Sequence, residues 1–303
     1  MTIEPVSRKA VKIRQSIHKQ FCTCHDVQVF SMDGIPYVMN VDRLSPPKLE
    51  NLLAQLHLTT PIMVTRGCDN PANLKLKACL QKGVPVLWSI DRAVSEDEIG
   101  LLVDTQSTLQ FSVEFPQDHL RKALSPNSGD PFSFLEMMHL AKARKITQTL
   151  ELRWYPHLVH PLDMMELIEA LKNYVRHVVV VFPPVDDTEY QEKSHLWTDL
   201  VKGSDEAFKH WYGTDVPNRS WVVKKHYQEE LILGLTDFIK SKKLTMELVE
   251  WSSLHRVRHV SSLEGHTLGM RSQLYEKGEE GNFAPSETAV EQPCKCCGKT
   301  LFI

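Results

Sequence analysis

The chain alternates short apolar runs with segments whose apolar residues recur at helical spacing. Runs of strand length include PIMVTRG (61–67), VPVLWSID (84–91) and the β-branched VVVVF (178–182). The segments between such runs place apolar residues three and four positions apart, as one face of a helix does. Counting IPYVMNV (35–41), we predict seven strands with a helix between most neighbours. Because parallel strands need such crossovers, the pattern predicts an α/β fold.

Local signals fix several turns and helix ends. A turn dipeptide at 33–34 separates two β-like runs and predicts a hairpin. Ser45, followed by two prolines, predicts a helix start, and Gly83 predicts a helix end. Ser95 and Glu98 have the spacing of a capping box. These signals agree with the strand and helix assignment.

Two longer helices are predicted in the second half of the fold. The segment 131–145 places Phe134, Met137, Met138 and Ala141 on one face, and a long helix is predicted over about 221–243 before a strand at 245–251.

The alternation breaks down between residues 184 and 220. A connection of this length at a strand end is either a lid or binding loop, or a helical surface excursion with a small core of its own. We favour the second interpretation for most of these residues. The expected core consists of Leu196, Trp197, Leu200 and Val201.

The fold class follows from the repeated βα units and from the motifs that are missing. Neither G-x-G-x-x-G nor G-x-x-x-x-G-K-[ST] follows a strand, which argues against a dinucleotide-binding Rossmann site and a P-loop. We therefore predict a partial (β/α)6-type TIM-like barrel with parallel strands. It occupies residues 35–255, after a polar N-terminal extension (1–34) and before a cysteine-containing C-terminal tail (256–303).

Composition narrows the function classes. The 303 residues carry a formal net charge of −3, which gives no reason to expect a general binder of nucleic acid or anionic membranes. No apolar run approaches the ~20 residues of a membrane span. The odd number of seven cysteines fits a reducing compartment better than a disulfide framework, so we expect a cytoplasmic protein.

Cysteines cluster at both ends of the chain. The tail reads C-K-C-C-G-K, whose C-x-x-C followed by Gly-Lys is typical of a zinc knuckle. A fourth ligand would come from the C-x-C pair near the N-terminus or from the adjacent His25, and iron–sulfur is the alternative to zinc. Free thiols are the alternative to any metal site. The candidate metal ligands are Cys22, Cys24, Cys294, Cys296 and Cys297.

Three strings within residues 83–131, GVPVLWSID, SEDEIGLLVD and LQFSVEFPQDHLRKALSPNSGDP, resemble the radical SAM barrels of the spore photolyase-like branch. The resemblance extends over about residues 60–182. It implies a barrel that holds a four-iron four-sulfur cluster and S-adenosylmethionine, with nucleic acid as a substrate class by family analogy. The chain departs from the family in one respect. The loop after IPYVMNV reads DRLSPPK, and C-x-x-x-C-x-x-C occurs nowhere.

The same resemblance implies a cofactor site at strand ends. By this resemblance, residues 65–67 would contact the amino group of the methionine moiety. Ser112 and Glu114 would lie near the ribose, and Arg153 would pair with the carboxylate of the methionine moiety. The implied residues are Thr65, Arg66, Gly67, Ser112, Glu114 and Arg153. The alternative is that Glu114 and Arg153 pair with each other inside the barrel.

His157 and His160, in WYPHLVHP, also follow a strand and are either acid–base groups or ordinary loop histidines.

The resemblance and the missing cysteine motif together leave two predicted functions. One is an enzyme that uses an iron–sulfur cluster and S-adenosylmethionine for radical chemistry. The other is a cluster-less barrel of the same fold that binds a ligand or partner and has a zinc-binding tail.

Overall fold

The computed structural model describes residues 28–32, 35–41, 43–65, 72–215, 220–251, 257–260, 275–286, 291–293 and 300–302. Over these ranges strands and helices alternate along most of the chain, which confirms the predicted α/β class. Within the same ranges, no helix is both long enough and apolar enough to span a membrane.

The helices are α1 (Pro46–Gln55), α2 (Ala72–Gln81), α3 (Glu96–Gly100), α4 (Asp118–Leu124), α5 (Phe134–Ala143), α6 (Pro161–Leu171), α7 (Asp187–Leu200), α8 (Ser204–Trp211) and α9 (Lys225–Ser241), with a 3₁₀ turn at Pro131–Ser133. The first strands are β1 (Gln28–Met32), β2 (Ile35–Asn40), β3 (Leu58–Thr59), β4 (Ile62–Thr65), β5 (Val86–Ile90), β6 (Thr108–Val113), β7 (Thr147–Arg153) and β8 (His177–Val181). They are followed by β9 (Val185–Asp186), β10 (Tyr212–Asp215), β11 (Ser220–Val223), β12 (Thr245–Trp251), β13 (Val257–Val260), β14 (Tyr275–Lys277), β15 (Phe283–Pro285), β16 (Glu291–Pro293) and β17 (Thr300–Phe302).

The chain forms two compact units, one comprising 1–89, 104–108 and 270–303 and the other 90–103 and 109–269. In the first unit β1 and β2 are antiparallel, with Met32 opposite Ile35, which confirms the predicted hairpin. Strand β4 lies parallel to both β2 and β5. The three-part division predicted from the sequence stays a prediction.

The second unit contains the strands that carry most of the candidate site. Its neighbouring strands follow the order β6, β7, β8, β12, β13. Strand β8 runs parallel to β7 and β12, whereas β13 is antiparallel to β12. All five residues of β8 are buried, as expected for a strand covered on both faces. Side chains alternate along a strand, so positions 110 and 112 of β6 share a face, as do 151 and 153 of β7.

Local sequence accounts for several elements. At the start of α3, Ser95 Oγ accepts a hydrogen bond from the Glu98 amide, and the Glu98 carboxylate accepts one from the Ser95 amide. Gly83 has a φ of +73°, and a Cβ there would lie 2.5 Å from the Phe283 carbonyl oxygen, so only glycine fits. The predicted apolar face of α5, made of Phe134, Met137, Met138 and Ala141, is buried.

The described part of the segment after β8, residues 185–215 and 220–223, is here called the insertion. It consists of α7, α8 and a three-stranded sheet in the order β10-β11-β9. Of its four predicted core residues only Trp197 is buried, since Leu196, Leu200 and Val201 are half-buried. Trp197 packs against the buried ring of Phe208 from α8, and Phe208 stacks in turn on buried Tyr212 of β10.

The helix predicted over 221–243 begins later than expected, at Lys225. Residues 220–223 form β11, which pairs with β9 and β10. Strand pairing therefore overrides the helical spacing in this short segment, whose Trp-Val-Val sequence also favours a strand.

Candidate ligand-binding site

The predicted site residues divide between the two units. Ser112 lies in β6, Glu114 directly follows that strand, and Arg153 ends β7, all in the second unit. Thr65 ends β4 in the first unit. Arg66 and Gly67 lie outside the described residues, as do the five predicted metal ligands Cys22, Cys24, Cys294, Cys296 and Cys297.

Glu151 connects two of the predicted residues. Its carboxylate, in a residue only 8% exposed, accepts hydrogen bonds from Gln110 Nε2 at 2.7 Å and Ser112 Oγ at 2.9 Å. Arg153 Nε lies 3.3 Å from Glu151 Oε1. A buried carboxylate needs such donors, because burial removes the water that would otherwise solvate it. Glu151 thereby fixes the positions of both Ser112 and Arg153.

Glu114 and Arg153 do not form the ion pair that the sequence offered as an alternative. Glu114 instead accepts hydrogen bonds from the hydroxyls of Tyr155, at 2.9 Å, and Ser125. Arg153 takes Glu151 as its partner because residues two apart on one strand point to the same side of the sheet.

Tyr155 is a site residue that sequence reasoning missed. Its ring stacks on Phe115, with centroids 5.5 Å apart and planes at 18°. Burial, together with the neighbouring Glu114 carboxylate, raises the pKa of Tyr155 well above its usual value, so the phenol keeps its proton and donates. The only signal in the sequence was the position of this tyrosine near the end of the predicted strand TLELRWYP, whereas the observed strand β7 ends two residues earlier, at Arg153.

A small cleft with a volume of about 20 Å³ opens beside Glu114 and Tyr155. Helix α7 forms one wall of the cleft, and within it Lys193 Nζ pairs with Glu189 Oε1 at 2.8 Å. In α/β proteins, ligands bind at the carboxyl ends of the parallel strands, where this cleft lies. The lining residues are Glu114, Phe115, Leu124, Tyr155, Leu158, Glu189, Lys193 and Trp197.

Arg153 can bind an anion at the same strand end. The carboxylates of Glu151 and Glu114 outweigh the effect of burial and raise the pKa of its guanidinium. The side chain is 46% exposed, and its two terminal nitrogens donate no hydrogen bond to any described residue. A guanidinium held at one nitrogen still presents a planar fork that matches a carboxylate or phosphate.

Comparison of the chain with protein-family models, curated proteins and solved structures gives no match. The function has to be argued from the site.

The two histidines after β7 have separate roles. The ring of His160 caps α6, since its Nδ1 accepts a hydrogen bond from the Leu162 amide at 3.2 Å. His157 is only 3% exposed, and burial lowers its pKa from 6.5 to about 3, so its imidazole is neutral at physiological pH. Neither histidine lines the cleft.

Metal ligands are not assembled within the described parts of the chain, where no three side chains of His, Cys, Asp and Glu are grouped to hold an ion. Cys79 of α2 is described and is fully buried. Burial raises the pKa of the Cys79 thiol to about 12, which keeps it protonated and unsuited to metal binding.

Proposed function

We propose that this protein binds a small ligand carrying an amino-acid moiety at the carboxyl ends of β6 and β7. One observation carries the proposal. A guanidinium (Arg153) and a carboxylate (Glu114), each held by its own partner, lie at the carboxyl ends of the neighbouring strands β7 and β6. Such a pair complements a zwitterion, whose carboxylate meets the arginine and whose ammonium meets the glutamate.

S-adenosylmethionine is the ligand that the sequence resemblance favours. It has an amino-acid end for Arg153 and Glu114, and ribose hydroxyls that can donate to a carboxylate or bond with Ser112. The cleft itself holds little of such a molecule, because its volume of about 20 Å³ is far below the usual range of ~300–1,000 Å³ for ligand pockets. The strand face beside the cleft, with Ser112, would take the rest.

Calorimetric titration of the protein with S-adenosylmethionine tests this proposal. Arg153→Gln removes a charge-assisted pair of hydrogen bonds worth roughly 1.5–3 kcal/mol, so we expect the ligand Kd to rise about 10- to 150-fold.

The matched control is Arg144→Gln. Arg144 also pairs with a glutamate, Glu96, but it caps α5 just before the opposite end of β7, so ligand affinity should not change. The proposal is wrong if millimolar S-adenosylmethionine does not saturate the wild-type protein, or if the two variants weaken binding equally.

We further propose that the parallel strands belong to a partial (β/α)6-type, TIM-like barrel, and that the protein is cytoplasmic. The barrel is supported by the row of polar side chains on one face of β6 and β7, since barrel interiors are filled by side chains in layers. The location is supported by the odd number of cysteines.

A second candidate function is the radical reaction of the resembling family, favoured by the strings between residues 83 and 131. An iron–sulfur cluster, when bound, supplies the electron that cleaves S-adenosylmethionine. Nucleic acid is the substrate class by analogy alone. Iron and sulfide counting after anaerobic reconstitution tests this candidate. A protein that takes up only zinc would leave ligand binding, with a zinc-binding tail, as the function.

A further inference from the structure

His157 joins the insertion to the loop that carries Tyr155. The loop runs from β7 to α6, and three aromatic side chains of the insertion surround the imidazole edge to face. Ring centroids lie 4.8 Å away for Trp197 of α7, 5.0 Å for Phe208 of α8 and 5.2 Å for Tyr212 of β10. Tyr155 closes the fourth side at 6.2 Å. The imidazole therefore fills an aromatic box.

The box offers the imidazole no polar partner. Among the described residues, neither ring nitrogen of His157 makes a hydrogen bond, and the buried hydroxyl of Tyr212 makes none either. A neutral imidazole tolerates such a site at a cost, but an imidazolium buried without a counter-ion is far less stable.

The titratable groups packed around the box are occupied elsewhere. The Tyr155 hydroxyl donates to Glu114. On the insertion, the Tyr190 hydroxyl donates to Asp205 Oδ1 at 2.7 Å, Asp205 also pairs with Lys209 of α8, and Glu189 pairs with Lys193. None of these carboxylates contacts the imidazole, so a proton added to His157 meets no compensating charge within the described structure.

The docked insertion also completes the cleft. Helix α7 supplies Glu189, Lys193 and Trp197 to the cleft wall, and Trp197 is at the same time one side of the box. Separation of the insertion from His157 would therefore remove that wall.

We propose that the insertion is a lid on the candidate ligand site and that His157 is the acid-sensitive latch that holds it closed. The role of the lid in controlling ligand access rests on the proposed function, whereas the latch itself does not.

The direction of the pH effect follows from linkage. In the closed form burial lowers the pKa of His157 from 6.5 to about 3, whereas an opened, hydrated imidazole returns to its ordinary pKa. The latch is thus fully effective above pH 6.5 and weakens as the pH falls from 6.5 towards 3.

Hydrogen exchange of peptides from α7 and α8, measured by mass spectrometry without ligand, tests the latch. After correction for intrinsic rates, protection should fall about 30-fold between pH 7.5 and pH 5.0, as calculated by linkage from the two pKa values. His157→Phe fills the box with a ring that cannot be protonated, so this pH dependence should disappear. His157→Met is the second variant, should phenylalanine prevent folding.

The matched control is His177→Gln. His177 of β8 is equally buried, and burial lowers its pKa to about 3 as well, but it bonds to Thr245 and lies outside the insertion. In this variant the pH dependence of α7 and α8 should persist.

Equal protection at both pH values in the wild type would overturn the latch. So would pH dependence retained in both His157 variants or lost in His177→Gln. A failure to bind S-adenosylmethionine would instead count only against the proposed function, because the exchange is measured without ligand.

Discussion

At the scale of single residues, the candidate site depends on the hydrogen bonds that the buried Glu151 carboxylate accepts. Ser112, Glu114 and Arg153 were implied by the family resemblance, and periodicity along each strand indicates only which side chains share a face. The roles of Glu151 and Tyr155 could not be predicted, because their partners come from other strands and loops. Gln110, for example, is 41 positions from the Glu151 carboxylate that it contacts.

Glu151→Gln should destabilise the protein by about 1–3 kcal/mol. The substitution keeps the side-chain shape but turns one accepting oxygen into a donor that faces other donors, and it removes the partner charge of Arg153. The free energy of unfolding in urea measures the loss.

Glu96→Gln is the control for this experiment. Glu96 pairs with Arg144, but its side chain is 65% exposed, so we expect a change within about 0.5 kcal/mol. If both variants lose the same stability, Glu151 does not have the organising role described here.

At the scale of elements, two helix starts show that local sequence specifies where an N-cap lies but not whether its side chain makes the capping hydrogen bond. Ser45 and Ser95 both have the residue type and position of an N-cap. Both are N-cap residues in the structure, yet only the Ser95 side chain accepts a hydrogen bond from its helix. The same contrast applies at residues 220–223, where pairing with distant strands overrides helical spacing.

Ser95→Ala should lower the free energy of unfolding by about 1 kcal/mol, because it removes the acceptor for an amide at the start of α3. Ser45→Ala should cost clearly less, since α1 loses no side-chain bond. Parallel urea or thermal unfolding of the two variants measures the difference. Equal losses would show that the capping box adds nothing measurable.

At the scale of the whole molecule, metal binding by the cysteines near the two chain ends is predicted from the sequence alone. Cysteines near both termini are the candidate metal ligands, whereas Cys79 is deeply buried in α2. Metal binding requires a thiolate, and the raised pKa of the Cys79 thiol disfavours one.

Replacing Cys294, Cys296 and Cys297 with alanine should remove most of the zinc or iron that the reconstituted protein binds. Cys79→Ala is the matched control and should leave the metal content unchanged. Elemental analysis of purified variants gives the answer. Metal retained by the triple variant, or lost from Cys79→Ala, would contradict this assignment.

The sequence by itself determined the α/β class, the order of most strands and helices, the capping box at Ser95 and the turn at Gly83. Each of these depends on hydrophobic period or backbone preference within a few residues. Only the tertiary structure decided that Arg153 pairs with Glu151, that Tyr155 holds Glu114, and that aromatic rings of the insertion enclose His157. The contacts of Tyr155 and His157 join segments tens of residues apart, and Glu151, although only two positions from Arg153, is held by Gln110 and Ser112 of another strand. Alternative partners of similar chemistry compete at such positions, and packing selects among them.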